Sequence, residues 1–421
     1  METIYYLLNP WWEDRAFTTG IIRDRYVAPL AEVQSRRQVE VLVGGRRTGK
    51  TTILRQIISR LIASGISSKD VFYLALDHPT LVGTTISEHL KAFRKLFAHE
   101  RSRKLYLFFD EIQDCPDWEA ELKALYDTEE IKVYCSGSTS ALISRQGGKL
   151  TGRQIVTVIY PLSFSEFIEF RGQQPSLSED YLFERLAEDY LQVGGYPEQV
   201  LAPSHEYLPN LLEDILARDL IRLFPIKKPG VLKDLIRLVS ASVGSRTSFN
   251  RLSKLLGLSL DTAKEYIGHL EQAFLTCSLE KWTTSYSEKV YAQKKLYLWD
   301  TGIKSLFTGQ GDEGARAENA VFMELKRRGM ETGYFAEGDL EVDFVLGSRG
   351  KPIPLEVKML DTLDLGDKRL AGLRLFLRRF PESDRALLVT KTISRAIDNF
   401  HGVPLEAIPL WRFLLKGESF E

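Results

Sequence analysis

Cysteine, histidine and methionine are scarce in this chain: three, six and four among 421 residues. Cys115, Cys135 and Cys277 lie far apart with no C-x-x-C spacing, so neither a disulfide framework nor a zinc site is expected, and a reducing cytoplasm fits. Long apolar runs are missing too, and none reaches the roughly 20 residues that a membrane-spanning helix needs. The stretch "METIYYLLNPWWEDRAF" carries acids where a secretory leader carries bases and has no apolar core, which argues against a signal peptide. Neither sign of charge is in excess. Lys and Arg number 56 and Asp and Glu 57, so no global field draws the chain to nucleic acid or membrane. Any polyanion binding has to come from a local patch. What is left is an expected cytoplasmic protein of ordinary globular composition, long enough for two or three domains.

What is present begins with "VEVLVGGRRTGKTTILRQIISRLI", a buried strand, a glycine-rich turn and an amphipathic helix. Gly44, Gly49, Lys50 and Thr51 satisfy G-x-x-x-x-G-K-[ST] in the strand–loop–helix context the motif requires. Backbone N–H groups of such a loop curl around phosphates at a helix N-terminus, so Gly44, Gly45, Arg46, Arg47, Thr48, Gly49, Lys50, Thr51 and Thr52 are the candidate nucleotide-binding run. Lys50 is placed to reach the β- and γ-phosphates of ATP, and Thr51 to ligate Mg2+.

About sixty residues on, "KLYLFFDEIQD" is a continuous apolar strand ending in Asp110 and Glu111, at the end of an α/β sheet where ligands bind. Asp110 is the candidate for the magnesium shell and Glu111 for polarising the attacking water. A third strand, "IKVYCSGSTS", ends in Ser136, Ser138 and Thr139, any of which can sense a γ-phosphate. Arg153 is the candidate cation that completes the site, from the same chain or, in a homo-oligomer, from a neighbouring copy.

"GGRRTGKTT", "LFFDEIQ", "CSGSTS" and "GRQIVTVIYPLSFSEF", followed by "YLQVGGYPEQV", "KKLYLWDTGI" and "GARAENAVFMELKRRG", resemble the archaeal and bacterial AAA-type P-loop ATPases that carry a C-terminal domain of unknown function. The resemblance spans nearly the whole chain. It implies a P-loop ATPase followed by a winged helix and a PD-(D/E)xK nuclease-like fold.

Between these lies a helical stretch. "SFNRLSKLLGLSLDTAKEYIGHLEQAFLT" reads as helix, turn and second helix, capped by Ser259 or Asp261. The following segment has the makings of a wing. The second helix is not basic, since Lys264 is offset by Asp261, Glu265 and Glu271, so DNA contact and a packing or protein-binding role are both open.

Late in the chain, "EVDFVLGSRGKPIPLEVK" reads with period two as a hairpin around a Gly-Ser-Arg-Gly turn. E-x-K occurs four times, but only Glu356/Lys358 follows a strand preceded by a partner aspartate, Asp343. That spacing matches PD-(D/E)xK phosphodiesterases, with Glu318 on the helix upstream as a further acid and Val342 where the name-giving proline would stand. Asp343 and Glu356 would offer hard oxygen ligands to Mg2+ or Mn2+, beside the carbonyl of Val357, and Lys358 would position water or neutralise developing charge. The plain alternative is a surface ion pair worth under about 1 kcal/mol, on a fold that serves assembly.

The expectation is therefore an α/β protein with a P-loop parallel-sheet ATPase domain over residues 1–200, a helical winged-helix domain over 201–305 and a restriction-endonuclease-like α/β domain over 306–421. The expected function is ATP hydrolysis coupled to DNA, duplex or branched, with the C-terminal site binding or cutting it. The competing expectations are an ATP-dependent regulatory switch and a protein-remodelling ATPase whose nuclease-like domain is a non-catalytic platform.

Overall fold

Five strands run parallel in the first part of the chain: β1 (Val39–Val43), β2 (Val71–Ala75), β3 (Leu105–Asp110), β4 (Ile131–Gly137) and β5 (Gln154–Val158). Their order is β2-β3-β4-β1-β5. The central strands β1, β3 and β4 are buried along their whole length, which is why they read as unbroken apolar runs rather than as alternation. Because β4 lies between β1 and β3, the ends of three strands meet where the phosphate-loop motif leaves β1. In a computed structural model, which describes residues 1–138, 150–176, 178–309, 311–347 and 350–415, the chain groups into two compact units, Met1–Ile159 and Tyr160–Glu421.

The aromatic N-terminal stretch covers the edge strand β2. The Asn9 amide donates to the Tyr73 carbonyl at 2.9 Å and accepts the Tyr73 N–H at 2.7 Å, and the indoles of Trp11 and Trp12 both donate to the Val71 carbonyl. An open edge is thereby closed to strand addition.

The second unit opens with helices. The helix–turn–helix expected near residue 250 is present as Phe249–Leu256 and Leu260–Gln272, and its second helix is capped by Ser259, whose hydroxyl accepts the Thr262 N–H at 3.1 Å. Three short antiparallel strands flank it, β6 (Arg246–Thr247), β7 (Thr276–Leu279) and β8 (Lys294–Leu298), in the order β6-β8-β7. Two sequence stretches far apart are pinned together nearby. Asp300 accepts the N–H of Gly195 at 2.6 Å and of Gly302 at 2.9 Å. Burial pushes its carboxyl up to about 6 although these donors pull it down.

A mixed six-stranded sheet follows, built from β9 (Thr332–Glu337), β10 (Leu340–Leu346), β11 (Ile353–Val357), β12 (Ala386–Thr390), β13 (Arg395–Phe400) and β14 (Val403–Pro409). Its order is β13-β14-β12-β11-β10-β9. β9, β10 and β11 form an antiparallel meander, and the helix Ala371–Arg379 carries the crossover from β11 to its parallel neighbour β12. Val342, Val345, Leu373, Phe376 and Leu388 fill the core beneath that helix. Gly372 lets the helix lie on β10, because a Cβ there would overlap the carbonyl oxygen of Glu341. Ser348 and Arg349, at the hairpin turn, lie outside the described residues. No described helix is long and apolar enough to cross a membrane.

Candidate functional site

In the first unit the loop after β1 is shaped by crowding. A Cβ on Gly44 would overlap the carbonyl oxygen of Ile159, and Gly49 sits at φ 96° as the N-cap of the helix Lys50–Ala63. Arg47 also holds a left-handed backbone, at φ 64°. Such conformations gather at ligand-holding loops because surrounding structure must enforce them. The Thr48 hydroxyl donates to the Gly45 carbonyl at 2.9 Å, and Arg23 braces the loop from behind with a 2.8 Å bond to the Thr48 carbonyl. Lys50 is buried, its ammonium donating to the carbonyls of Gly44 and Gly45 at 2.9 and 3.0 Å. Arg46 is half-buried, and Arg47 and Thr52 are exposed beside it.

Asp110 ends β3 with its carboxylate ringed by hydroxyls. Thr51 donates to its Oδ2 at 2.6 Å, Tyr73 donates to the same oxygen at 2.8 Å, and Ser136 donates to Oδ1. Burial, and then the Asp110 charge, drive the Tyr73 phenol far above its ordinary value, so it is a fixed donor. Glu111 follows at φ 53°, its N–H donating to the Ser136 hydroxyl at 3.1 Å and its carboxylate accepting from Gln113. Asp77, just beyond β2, has its carboxyl raised by burial and by the charges of Glu111, Asp110 and Asp114. The local field is negative, as a divalent cation requires. The hydroxyl of Thr51 on the carboxylate of Asp110 is a donor set of the hard-oxygen kind that magnesium takes, and the loop amides and Lys50 suit phosphate. These residues fit Mg2+–ATP.

Of the hydroxyls at the end of β4, Ser136 bridges Asp110 and Glu111, and Ser138 lies 3.5 Å from the Gln113 amide nitrogen. Thr139 lies outside the described residues. Arg153 is not brought to the loop. It precedes β5 next to Val39, whose N–H donates to the Arg153 carbonyl, whereas the loop leaves the other end of β1, roughly 16 Å away at a strand rise of about 3.3 Å per residue. Its guanidinium instead lies 3.5 Å from Asp127 and over the ring of Tyr126. Tyr73 was not singled out from the sequence. Its only signal is a hydroxyl-bearing aromatic in an otherwise apolar strand.

In the second unit, Phe344 pairs with Leu355, which sets Glu356 opposite Asp343 across β10 and β11. The pairing of β10 with β9 slips between Val342 and Val345, so Asp343 stands at a bulge, a place where strands re-aim side chains. The Asp343 carboxylate accepts the Val357 N–H at 2.9 Å, and Glu356 accepts the Asp343 N–H at 3.2 Å. The Lys358 ammonium lies 3.2 Å from Asp343 Oδ2 and 2.6 Å from Glu356 Oε1. Glu318, from the helix Glu313–Arg327, joins through a residue the sequence reading missed. Lys295 of β8 lies 3.1 Å from Glu318, 3.2 Å from Glu341 and 3.1 Å from Asp343. Tyr297, two residues along the same strand face, donates to Glu318 at 2.7 Å. The structure thus gathers Glu318, Asp343, Glu356 and Lys358 and adds Lys295, Tyr297 and Glu341. The available signal was the alternation in "KKLYLWD", which sets Lys295 and Tyr297 opposite Leu296 and Leu298.

The electrostatics separate the two central acids. Burial would raise Asp343, but Lys358 and Lys295 overcome it and hold the carboxyl down to about 2. Burial and the adjacent Asp343 charge push Glu356 up to about 8. Burial and Asp343 raise Glu318 as well. The ammonium facing Asp343 Oδ2 and Glu356 Oε1 is 26 % exposed, and the two carboxylate oxygens it meets are hard donors of the kind Mg2+ or Mn2+ takes. Among the described residues no group of three or more His, Cys, Asp or Glu is arranged to hold a metal ion. A cavity of about 450 Å3 in the same unit is lined by Trp282, Phe322 and Lys326 and by neither Asp343 nor Glu356.

Against known proteins, residues 36–168 match the family described as an AAA domain, and residues 184–313 match a domain of unknown function, DUF8612. A Haemophilus influenzae relative described as an uncharacterised protein is 26 % identical over 336 residues, 77 % of this chain and 83 % of its own. One from Methanocaldococcus jannaschii, described likewise, is 27 % identical over 75 % of this chain and 74 % of its own. Among solved structures, the Walker-type ATPase of Pyrococcus abyssi aligns over 68 % of this chain and 95 % of its own, at 14 % identity and a TM-score of 0.41. The RuvB Holliday junction branch migration motor of Thermotoga maritima aligns over 61 % and 89 %, at 18 % identity and a TM-score of 0.32. The domain through residues 36–168 is an AAA-type P-loop ATPase domain, a fold that implies a bound nucleotide, usually with Mg2+, and suggests ATP hydrolysis.

Proposed function

We propose that the chain is a DNA-associated ATPase whose second unit carries a metal-dependent phosphodiesterase site. The single observation that carries this reading is the convergence of Glu318, Asp343, Glu356 and Lys358 at a strand bulge in a mixed sheet. A meander of three strands, a crossover helix and a parallel fourth strand is the arrangement that the PD-(D/E)xK resemblance implies, and it supports a restriction-endonuclease-like reading of residues 306–421. Three helices and a β6-β8-β7 sheet likewise support a winged helix within residues 201–305. The ATPase domain is then taken as residues 1–200.

In the first unit Lys50 and the loop amides hold phosphate oxygens, Thr51 and Asp110 hold Mg2+, and Glu111 accepts a proton from the attacking water. Mg2+ held by Thr51 and Asp110 would supply neutralisation of charge on the phosphates. Ser136 ties the Asp110 carboxylate to the backbone N–H of Glu111, which braces the end of β3 where both acids stand. Arg153, at the far end of the sheet, contributes to turnover only on a neighbouring copy in a homo-oligomer.

In the second unit Asp343 and Glu356 would hold Mg2+ or Mn2+, and such an ion would supply polarisation of a phosphodiester and a more acidic water. Lys358, freed from the two carboxylates, neutralises charge on the phosphate. Glu356 is pushed up to about 8, so a divalent cation held beside it would take the place of its proton.

The test is ATP turnover with and without nucleic acid. Duplex or branched DNA is expected to stimulate it at low salt, with an effect that fades steeply as salt rises, because a nearly neutral chain binds through a local patch. Absence of binding to every DNA form at low salt overturns the DNA reading in favour of a regulatory switch. Stimulation by an unfolded polypeptide instead points to protein remodelling.

A further inference from the structure

The acidic pocket of the second unit has two cation seats that share one carboxylate, and they differ in kind. Asp343 Oδ2 and Glu356 Oε1 face Lys358, whose ammonium is 26 % exposed. Asp343 Oδ1, Glu318 Oε1 and Glu341 Oε1 face Lys295, whose side chain is fully buried. An ammonium has three N–H donors, and Lys295 meets three carboxylates at 3.1, 3.2 and 3.1 Å. Its surroundings are fixed as well: Tyr297 holds Glu318 from β8, and the Arg246 guanidinium lies 3.1 Å from the other oxygen of Glu341. Lys358 can exchange with an ion from solvent, but Lys295 has nowhere to go.

Phosphodiester-cleaving sites that use two metals place them about 3.5–4 Å apart around a shared carboxylate. Here Asp343 is that shared group, and one of the two positions is filled from within the chain. We infer that Lys295 is a resident cation standing in the second metal seat, so that the pocket takes one divalent ion at Asp343 and Glu356 rather than two. This rests on reading the hairpin as a metal-holding site. Lys295 is then a positioning residue: it orients Asp343 and Glu318 without touching the substrate. A purely structural ion cluster, fastening β8 to the helix Glu313–Arg327 and to β10, would have the same contacts but would not set metal stoichiometry.

The experiment titrates Mn2+ into the full chain, free of nucleotide, by calorimetry and by electron paramagnetic resonance, counting only ions lost on Asp343→Asn. One equivalent is expected for wild type and two for Lys295→Met. Should Lys295→Met fail to fold, Lys295→Gln with Glu341→Gln removes one acid together with the ammonium, and a second equivalent is expected there too. Two equivalents in wild type, or one equivalent of unchanged affinity in the Lys295 variants, overturn the resident cation and leave the metal-holding reading standing. No ion in wild type but one in Lys295→Met overturns both, because the pocket would then take its ion only where Lys295 had stood and none at Asp343 and Glu356. No ion in either overturns both.

Discussion

Asp110 and Asp343 are both buried aspartates at the carboxylate centre of a site, yet their surroundings are opposite in kind. Three neutral hydroxyls, from Thr51, Tyr73 and Ser136, hold Asp110. Two ammonium groups and a backbone N–H hold Asp343. A hydroxyl orients a carboxylate and leaves its charge for an incoming cation. An ammonium cancels the charge and has to be displaced, or kept, when a cation arrives. The first site therefore suits a cation taken up directly, and on the proposed reading the second would trade one it already holds. Both arrangements satisfy the buried acceptor; they differ in what a ligand must pay.

Removing each aspartate should expose this difference most strongly. Asp343→Ala takes one carboxylate from each of two ammonium groups, leaving Lys295 with Glu318 and Glu341 and Lys358 with Glu356, so the about 3–5 kcal/mol of a broken buried ion pair is the upper bound expected in its unit. Asp110→Ala leaves only neutral hydroxyls without an acceptor, and about 1–3 kcal/mol is expected in its own unit. Chemical denaturation followed separately in each unit measures both, and equal losses break the contrast. Next in size, Lys50→Ala should reduce ATP turnover by on the order of a hundredfold or more. Glu111→Gln should keep nucleotide binding and lose turnover to a similar degree. Phosphate release and binding of a fluorescent nucleotide separate these effects, and normal turnover in Glu111→Gln removes Glu111 as the base.

A pH profile sharpens the same comparison at smaller scale. Glu356 is raised from an ordinary 4.5 to about 8, so across that window the unfolded chain loses the proton first while the folded chain keeps it. Stability is complete below about 4.5 and declines as pH rises toward 8. In the presence of a chelator, wild type should lose melting temperature over this range relative to Glu356→Gln. A parallel course for the two proteins would remove the buried, protonated Glu356. The smallest effect expected is that of Tyr73→Phe. It takes one of three hydroxyls from Asp110, worth about 1 kcal/mol, and should slow ATP turnover roughly twofold to tenfold.

Legibility in the sequence followed contiguity. The phosphate loop is one run of residues whose strand, turn and helix are all local, and Asp110 and Glu111 announce themselves by ending an apolar strand. The hairpin from β10 to β11 was legible for the same reason. Tyr73 and Lys295 were not, because each reaches its aspartate only through the packing of a strand remote in sequence. Arg153 shows the reverse. Its neighbourhood in sequence suggested the phosphate site, but a parallel β5 carries it to the other end of the sheet. Among the E-x-K pairs, Lys132 turns from Glu130 to a buried Glu40 on β1, a choice that only the β1–β4 pairing explains. The N-terminal aromatics serve in the fold to close the edge of β2, a role that their composition did not announce.

Strand cleavage of labelled linear and branched DNA, with Mg2+ and with Mn2+, addresses the pairing of an ATPase with a metal-dependent cutting site most directly. Wild type and Glu356→Ala are run side by side, with ATP turnover read on the same preparations. Wild type should cut, and Glu356→Ala should not cut while hydrolysing ATP at the wild-type rate, because Glu111 and Glu356 belong to separate units. Equal cutting by both proteins, or none by wild type, would contradict a cutting site at the hairpin.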